Sequence, residues 1–147
     1  MKQWLWITLI LVGMVFGGRY LWGVHQQKQR LSMLDDYLTQ ITQDPRDMNT
    51  LINLCALYSE IGELDKGLGY CNQALLVTPN TADALQNRAA IYYQQGKLEE
   101  ALIDYKIELQ LAEQYSWQTI RTFRYDAIQE AIAQIEGELV GRKASGA

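Results

Sequence analysis

The chain has 147 residues, enough for one domain with a modest core. Thirteen basic and seventeen acidic residues give a net charge of −4, but the first thirty residues carry four basic groups and no acid, so the rest of the chain is strongly acidic. That acidic body excludes a nucleic-acid binder, which needs a concentrated basic surface, and two prolines with eleven glycines favour long helices over many short strands.

The first element is apolar. Residues 4–23 read WLWITLILVGMVFGGRYLWG, and no charge occurs before Arg19. As a helix this stretch reaches roughly 30 Å, the thickness of a bilayer core. Trp4 and Trp6 stand at one end and Tyr20 and Trp22 at the other, where interfacial aromatics belong. Arg19 sits close enough to its end to extend its charge outward. Gly13 and Gly17 have the small-x-x-x-small spacing of packed membrane helices. No small-x-small cleavage site follows, which argues against a removed leader. The sequence therefore predicts a transmembrane anchor over 1–24. The chain would be a single-pass protein of a bacterial inner membrane or a thylakoid-like membrane, with the lipid bilayer as a partner. Arg19, Lys28 and Arg30 outnumber Lys2, which favours a cytoplasmic over a periplasmic body.

Residues 25–47 predict a juxtamembrane helix. Leu34, Tyr37, Leu38 and Ile41 form its apolar stripe, and Asp44-Pro45 ends it. Beyond it the sequence repeats itself. Shifting 48–81 by 34 residues onto 82–115 pairs Leu51 with Leu85, Asn53 with Asn87 and Ala56 with Ala90. The same shift pairs Tyr58 with Tyr92, Gly62 with Gly96, Leu64 with Leu98 and Leu68 with Leu102. Each unit reads as helix, glycine-centred turn, helix. Leu51, Leu54, Leu57 and Tyr58 mark the buried face of one first helix; Leu85, Ala89, Ile91 and Tyr92 mark the other. Gly62 and Gly96 supply the left-handed residue that ends it. Pro79 stops the second helix of the first unit.

Last comes a helix over 116–141. Ile120, Phe123, Ala127, Ile128, Ala131, Ile132, Ile135 and Leu139 recur at three- and four-residue steps. Such a stripe suits a cap on the exposed end of a stack, or a face offered to a partner helix. Residues 142–147 read as a polar tail.

A 34-residue helix–turn–helix of this pattern resembles the tetratricopeptide repeat (TPR) family. The first unit carries it through Leu51, Leu54, Cys55, Tyr58, Gly62, Gly67, Cys71, Ala74 and Pro79. The second carries it through Leu85, Arg88, Ala89, Tyr92, Gly96, Ala101, Tyr105 and Glu108. Gly67, Cys71, Arg88 and Glu108 depart from the family's alanine, aromatic, leucine and alanine, which suggests a loosened second unit whose last helix runs on. The implied fold is all-α: an N-terminal transmembrane helix followed by a short TPR α-solenoid of about two full repeats with flanking degenerate and capping helices.

The resemblance also implies a partner-binding groove lined by the first helices. In this chain the positions are Asn49, Ile52, Asn53, Ala56, Ser59 and Glu60, then Asp83, Gln86, Asn87, Ala90, Tyr93 and Gln94. Asn53 and Asn87 recur at the repeat interval, and an amide both donates and accepts hydrogen bonds to a peptide backbone. Ile52, Asp83 and Gln86 stand where a clamp for a carboxylate terminus needs lysine or arginine. A neutral or basic segment suits this groove better.

Catalytic and metal chemistry find no footing. His25 is the single histidine and has no motif partner. Asp35-Asp36 and Glu99-Glu100 are adjacent on helices and diverge, so they form no acid–base pair. Cys55 and Cys71 lie sixteen apart with no C-x-x-C, which leaves haem and zinc without ligands. A disulfide and a pair of buried thiols both stay open, the thiols being the plainer reading. We expect no enzyme, no cofactor, no metal, no nucleic acid and no small-molecule substrate. The expected function is a membrane-anchored TPR adaptor that assembles a membrane-protein complex, photosystem biogenesis being one example. Two alternatives are a periplasm-facing factor for cytochrome c maturation, a pilus or envelope machinery, and a permanent structural subunit of a membrane complex.

Overall fold

The computed structural model describes the backbone of residues 2–114 and 118–146, with side chains for 21–114 and 124–146. Six helices follow one another: α1 (Lys2–Gln43), α2 (Met48–Glu60), α3 (Leu64–Val77), α4 (Ala82–Gln94), α5 (Leu98–Gln114) and α6 (Gln118–Ser145). They divide into two units, Met1–Thr39 and Gln40–Ala147.

In the first unit the sequence expectation is corrected. Among the described residues, no helix is long and apolar enough to cross a membrane. α1 runs from Lys2 to Gln43 without a boundary near residue 24. Its described part carries His25, Lys28, Arg30, Asp35 and Asp36, groups that hydrocarbon does not solvate. The transmembrane helix, the single-pass membrane localisation and the bilayer as a partner fall with this finding. Trp4, Trp6, Gly13, Gly17, Arg19 and Tyr20, expected as anchor residues, lie outside the described side chains. Trp22 is described and is 67% exposed.

The second unit is the helical solenoid. Asp47 opens α2: its carboxylate accepts from the Thr50 backbone N–H at 3.1 Å and from the Thr50 hydroxyl. That satisfies one orphan donor at a helix start. Gly62 and Gly96 adopt φ of 83° and 73°. Around each the same two bonds form, Glu63 N–H to Tyr58 C=O and Gly62 N–H to Ser59 C=O, then Lys97 to Tyr92 and Gly96 to Tyr93. These are paired Schellman closures, and only a left-handed residue permits them. After Pro79, Asn80 takes φ of 63°, a conformation its short amide tolerates.

α2 packs on α3, α4 on α5, and α5 on α6, while α3 and α2 both meet α4. Leu51, Ala74 and Ala84 form the first core cluster, with Ile41 and Val77 against it. Cys55, Cys71 and Ile91 form the next. Leu98, Ala101 and Ile135 form the third, with Tyr92, Tyr105 and Leu139 around them. α6 therefore buries Ile128 and Ile135 on the solenoid and turns Asp126, Gln129, Glu130, Ala133 and Glu136 outward. Ala127, placed on the apolar stripe by the sequence, is exposed.

The two helix pairs are built differently inside. Cys55 and Cys71 are joined by a disulfide, their Cα atoms 5.2 Å apart. The second pair has Ala89 and Tyr105 at the same places. Gly67, one turn before Cys71, lies close against α2 and α4. A Cβ there would lie 3.0 Å from Cys55 O, 3.0 Å from Ile91 Cδ1 and 3.3 Å from Ser59 N. The glycine is thus required by close helix approach rather than by an unusual backbone.

Candidate functional site

Four departures from the family pattern suggested a loose second unit. Two of them, Arg88 and Glu108, instead take part in a buried polar seam. Arg88 donates from Nε and Nη2 to the two oxygens of Asp104, both at 2.7 Å, and from Nη1 to Asn72 at 2.8 Å. One guanidinium thereby ties α4 to its own partner helix and to the preceding pair. Asp104 is almost fully buried. Its carboxylate, through the hydrogen bond, holds the Arg88 guanidinium above its ordinary range despite burial. Glu108, also buried, accepts from Arg124 Nε of α6 at 2.9 Å on Oε1. Its Oε2 has no hydrogen-bond partner among the described residues. Burial pushes the Glu108 carboxyl upward, opposed by the Arg124 hydrogen bond.

Arg124 also reaches the expected groove. Its Nη1 donates to Asp83 at 2.9 Å. Tyr93 OH donates to Glu138 at 2.6 Å and accepts from Gln134 Nε2 at 2.7 Å. Arg142 donates to the Gly96 carbonyl at 3.2 Å. On the other side, Gln94 donates to the Ser59 hydroxyl at 3.0 Å. Lateral bonds therefore run from α2 to α4 to α6, so the three helices share one face. The Glu138 carboxylate, bound by Tyr93 and then Gln134, is held below its ordinary range, and Tyr93 is correspondingly raised, chiefly by that same bond.

On this face Asn49, Asn53, Glu60, Asp83, Gln86 and Gln94 are exposed; Ile52, Ala56, Asn87, Ala90 and Tyr93 are half-buried. Asp83, Tyr93 and Gln94 are already bonded to other side chains of the same chain. Tyr92 faces inward: it packs in the third cluster, with Arg88 and Lys97 over its ring at 5.9 and 5.8 Å. The sequence reading missed the contribution of α6, namely Arg124, Gln134, Glu138 and Arg142. The one signal in the sequence is Arg124, which with Arg121 makes a basic pair three residues apart in an acidic chain. No repeat interval points to Gln134 or Glu138.

Other candidates carry no site. His25 Nε2 lies 3.0 Å from Gln29 Nε2, one turn along α1. Asp35, Asp36, Glu99 and Glu100 are exposed. Among the described residues, no group of three His, Cys, Asp or Glu is placed to hold a metal ion.

No family model matches the chain. Two curated proteins of similar sequence are both named photosystem I assembly protein Ycf3. That of Rippkaea orientalis is 33% identical over 67 residues, covering 44% of this chain and 39% of the relative. That of Cyanophora paradoxa is 36% identical over 59 residues, covering 40% and 34%. The chain thus spans well under half the length of either relative. Among solved structures, PcrH in complex with the chaperone binding region of PopD superposes with a TM-score of 0.67 at 15% identity, over 78% of this chain and 84% of PcrH. The first TPR domain of human RPAP3 gives 0.59 at 24% identity, over 77% and 87%. The first TPR of Spaghetti (RPAP3) bound to the HSP90 peptide SRMEEVD gives 0.58 at 24%, over 74% and 84%. The fold is that of tetratricopeptide-repeat proteins.

Proposed function

We propose, with the TPR fold as premise, that this chain is a non-enzymatic adaptor that holds a segment of a partner protein on the face shared by α2, α4 and α6. The observation that carries the reading is the recurrence of Asn53 and Asn87 at the repeat interval on that face. Neither amide has a partner among the hydrogen bonds described above, so both remain available to a peptide backbone. Two solved neighbours of the same fold hold peptide segments, the PopD region and the HSP90 peptide. The face carries Glu60, Asp83 and Glu138 against Arg124 and Arg142, and the chain's isoelectric point is about 5.0, which favours a neutral or basic segment. Similarity to photosystem I assembly proteins over 67 and 59 residues supports the finer reading of an assembly factor for a multi-subunit complex.

The test is the double variant Asn53→Ala/Asn87→Ala. It should weaken capture of a selected peptide at least tenfold on the scale of about 1 kcal/mol per lost hydrogen bond, with helicity unchanged. Unaltered affinity would remove this face from the account.

One observation favours a second setting for the same activity. The Cys55–Cys71 disulfide suits an oxidising compartment, where such bonds persist. This supports the alternative of an envelope or cytochrome-maturation factor over a role in a reducing one. Thiol trapping of the chain in its native cells decides between them.

A further inference from the structure

Between α4, α5 and α6 lies a half-open slot of about 130 Å³, lined by Tyr93, Tyr105, Ala131, Gln134 and Ile135. Ile135 forms its buried floor at 1% exposure. The Tyr105 ring forms a wall, and burial pushes its hydroxyl's pKa upward. Ala131 leaves the space open, because its side chain ends at Cβ. Tyr93, Gln134 and Glu138 close a hydrogen-bonded ring at the mouth. That mouth lies on the shared face, one residue from Gln94, which bonds across to Ser59.

We propose that this slot receives one medium-sized apolar side chain, a leucine, isoleucine or methionine, from the partner segment. The inference rests on the peptide-binding reading above and names the anchor that segment must carry. The volume decides the size. A water takes about 30 Å³ of liquid, and an apolar cavity of about 150 Å³ accepts benzene. A four-atom aliphatic side chain fits the observed space, whereas a tryptophan does not. The lining decides the chemistry: Ile135, Ala131 and the Tyr105 ring give an apolar floor and wall, and at the mouth Tyr93 and Gln134 both bond Glu138 through Oε1. A charged side chain that reached the Ile135 floor would lose its hydration, with the Glu138 carboxylate left behind at the mouth. The chain's net charge of −4 bears on the surroundings, so the segment flanking the anchor is neutral or basic.

Short random peptides displayed on phage and selected on the full chain provide the probe. The selected peptide is then titrated with its apolar residue intact and cut to alanine. Cutting it should weaken binding about tenfold to a hundredfold, the range for fully burying such a side chain. Ala131→Leu, which fills the slot, should weaken the intact peptide similarly while leaving the alanine peptide's affinity unchanged. That retained affinity also shows the variant is folded. Methyl spectra of the unmodified chain give an independent reading: peptide methyls should contact the Ile135 and Ala131 methyls. Absence of those contacts overturns the slot. An intact-peptide affinity indifferent to Ala131→Leu but lowered by Asn53→Ala/Asn87→Ala also overturns it and leaves the peptide-binding reading standing. A peptide indifferent to every one of these changes, or no selected peptide at all, overturns both.

Discussion

Arg88 and Asp104 meet through two parallel contacts, Nε to Oδ2 and Nη2 to Oδ1, each 2.7 Å long, within the second helix pair. The family's leucine at this place would pack; the arginine instead needs its acid. Breaking such a pair leaves a buried charge, which costs about 3 kcal/mol or more. Asp104→Ala should therefore destabilise the chain by about that amount in urea unfolding. Replacing both residues by leucine should be neutral or stabilising, because two desolvated charges are removed together. A single variant costing under about 1 kcal/mol would mean that water solvates the pair.

Gly67 and the disulfide are coupled. Gly67→Ala restores the family's usual residue, yet it should destabilise the oxidised chain by about 1–3 kcal/mol, since the added methyl meets two backbone atoms and Ile91. In the Cys55→Ala/Cys71→Ala background α2 and α3 are free to part, and the cost should shrink. A cost equal in both backgrounds would uncouple them.

The bridge itself closes a short loop, for which chain entropy gives about 3 kcal/mol. Reduction should lower stability by roughly that amount. Both cysteines are fully buried, so labelling by a thiol reagent in the presence of reductant should follow the opening of the first helix pair. Prompt labelling under native conditions would contradict the burial.

Two glutamates set opposite pH trends. Glu108, raised chiefly by burial, binds its proton more tightly in the folded chain. Its contribution is fully present below the ordinary value of 4.5 and is lost as pH rises through the raised folded value. Glu138, lowered by Tyr93, contributes above 4.5 and loses that contribution as pH falls through its depressed value. Glu108→Gln should flatten the stability profile on the neutral side of 4.5, and Tyr93→Phe on the acid side. Profiles parallel to that of the parent chain would contradict both assignments.

The solenoid was legible because its signals are local. Gly62 and Gly96 announce their turns by residue type, and Leu51, Leu54, Leu85 and Ile91 announce buried faces by spacing. The polar seam was not legible. Nothing in the spacing of Arg88 and Asp104, or of Glu108 and Arg124, shows that the helices bring them together; one member of each pair, Arg88 and Glu108, read as a departure from a pattern. The plainer reading of the cysteines as buried thiols failed for a related reason, since sixteen residues of separation also fit a bridge. The transmembrane reading rested on the apolar run over 4–23, its terminal aromatics and its glycine spacing. It placed a boundary where α1 continues into a polar stretch. The face was half legible: the repeat interval gave α2 and α4, while α6 lies outside the interval and joins through side chains.

The disulfide joins the two helices of one pair and makes no link between pairs. A chain pulled from its ends cannot pay out the segment between Cys55 and Cys71. Sixteen residues of separation, at about 3.3–3.6 Å each when extended, withhold some 50 Å of contour. Under tension the oxidised chain is thus a shorter tether than the reduced one, and its second helix pair yields its full length while the first keeps about half of its own.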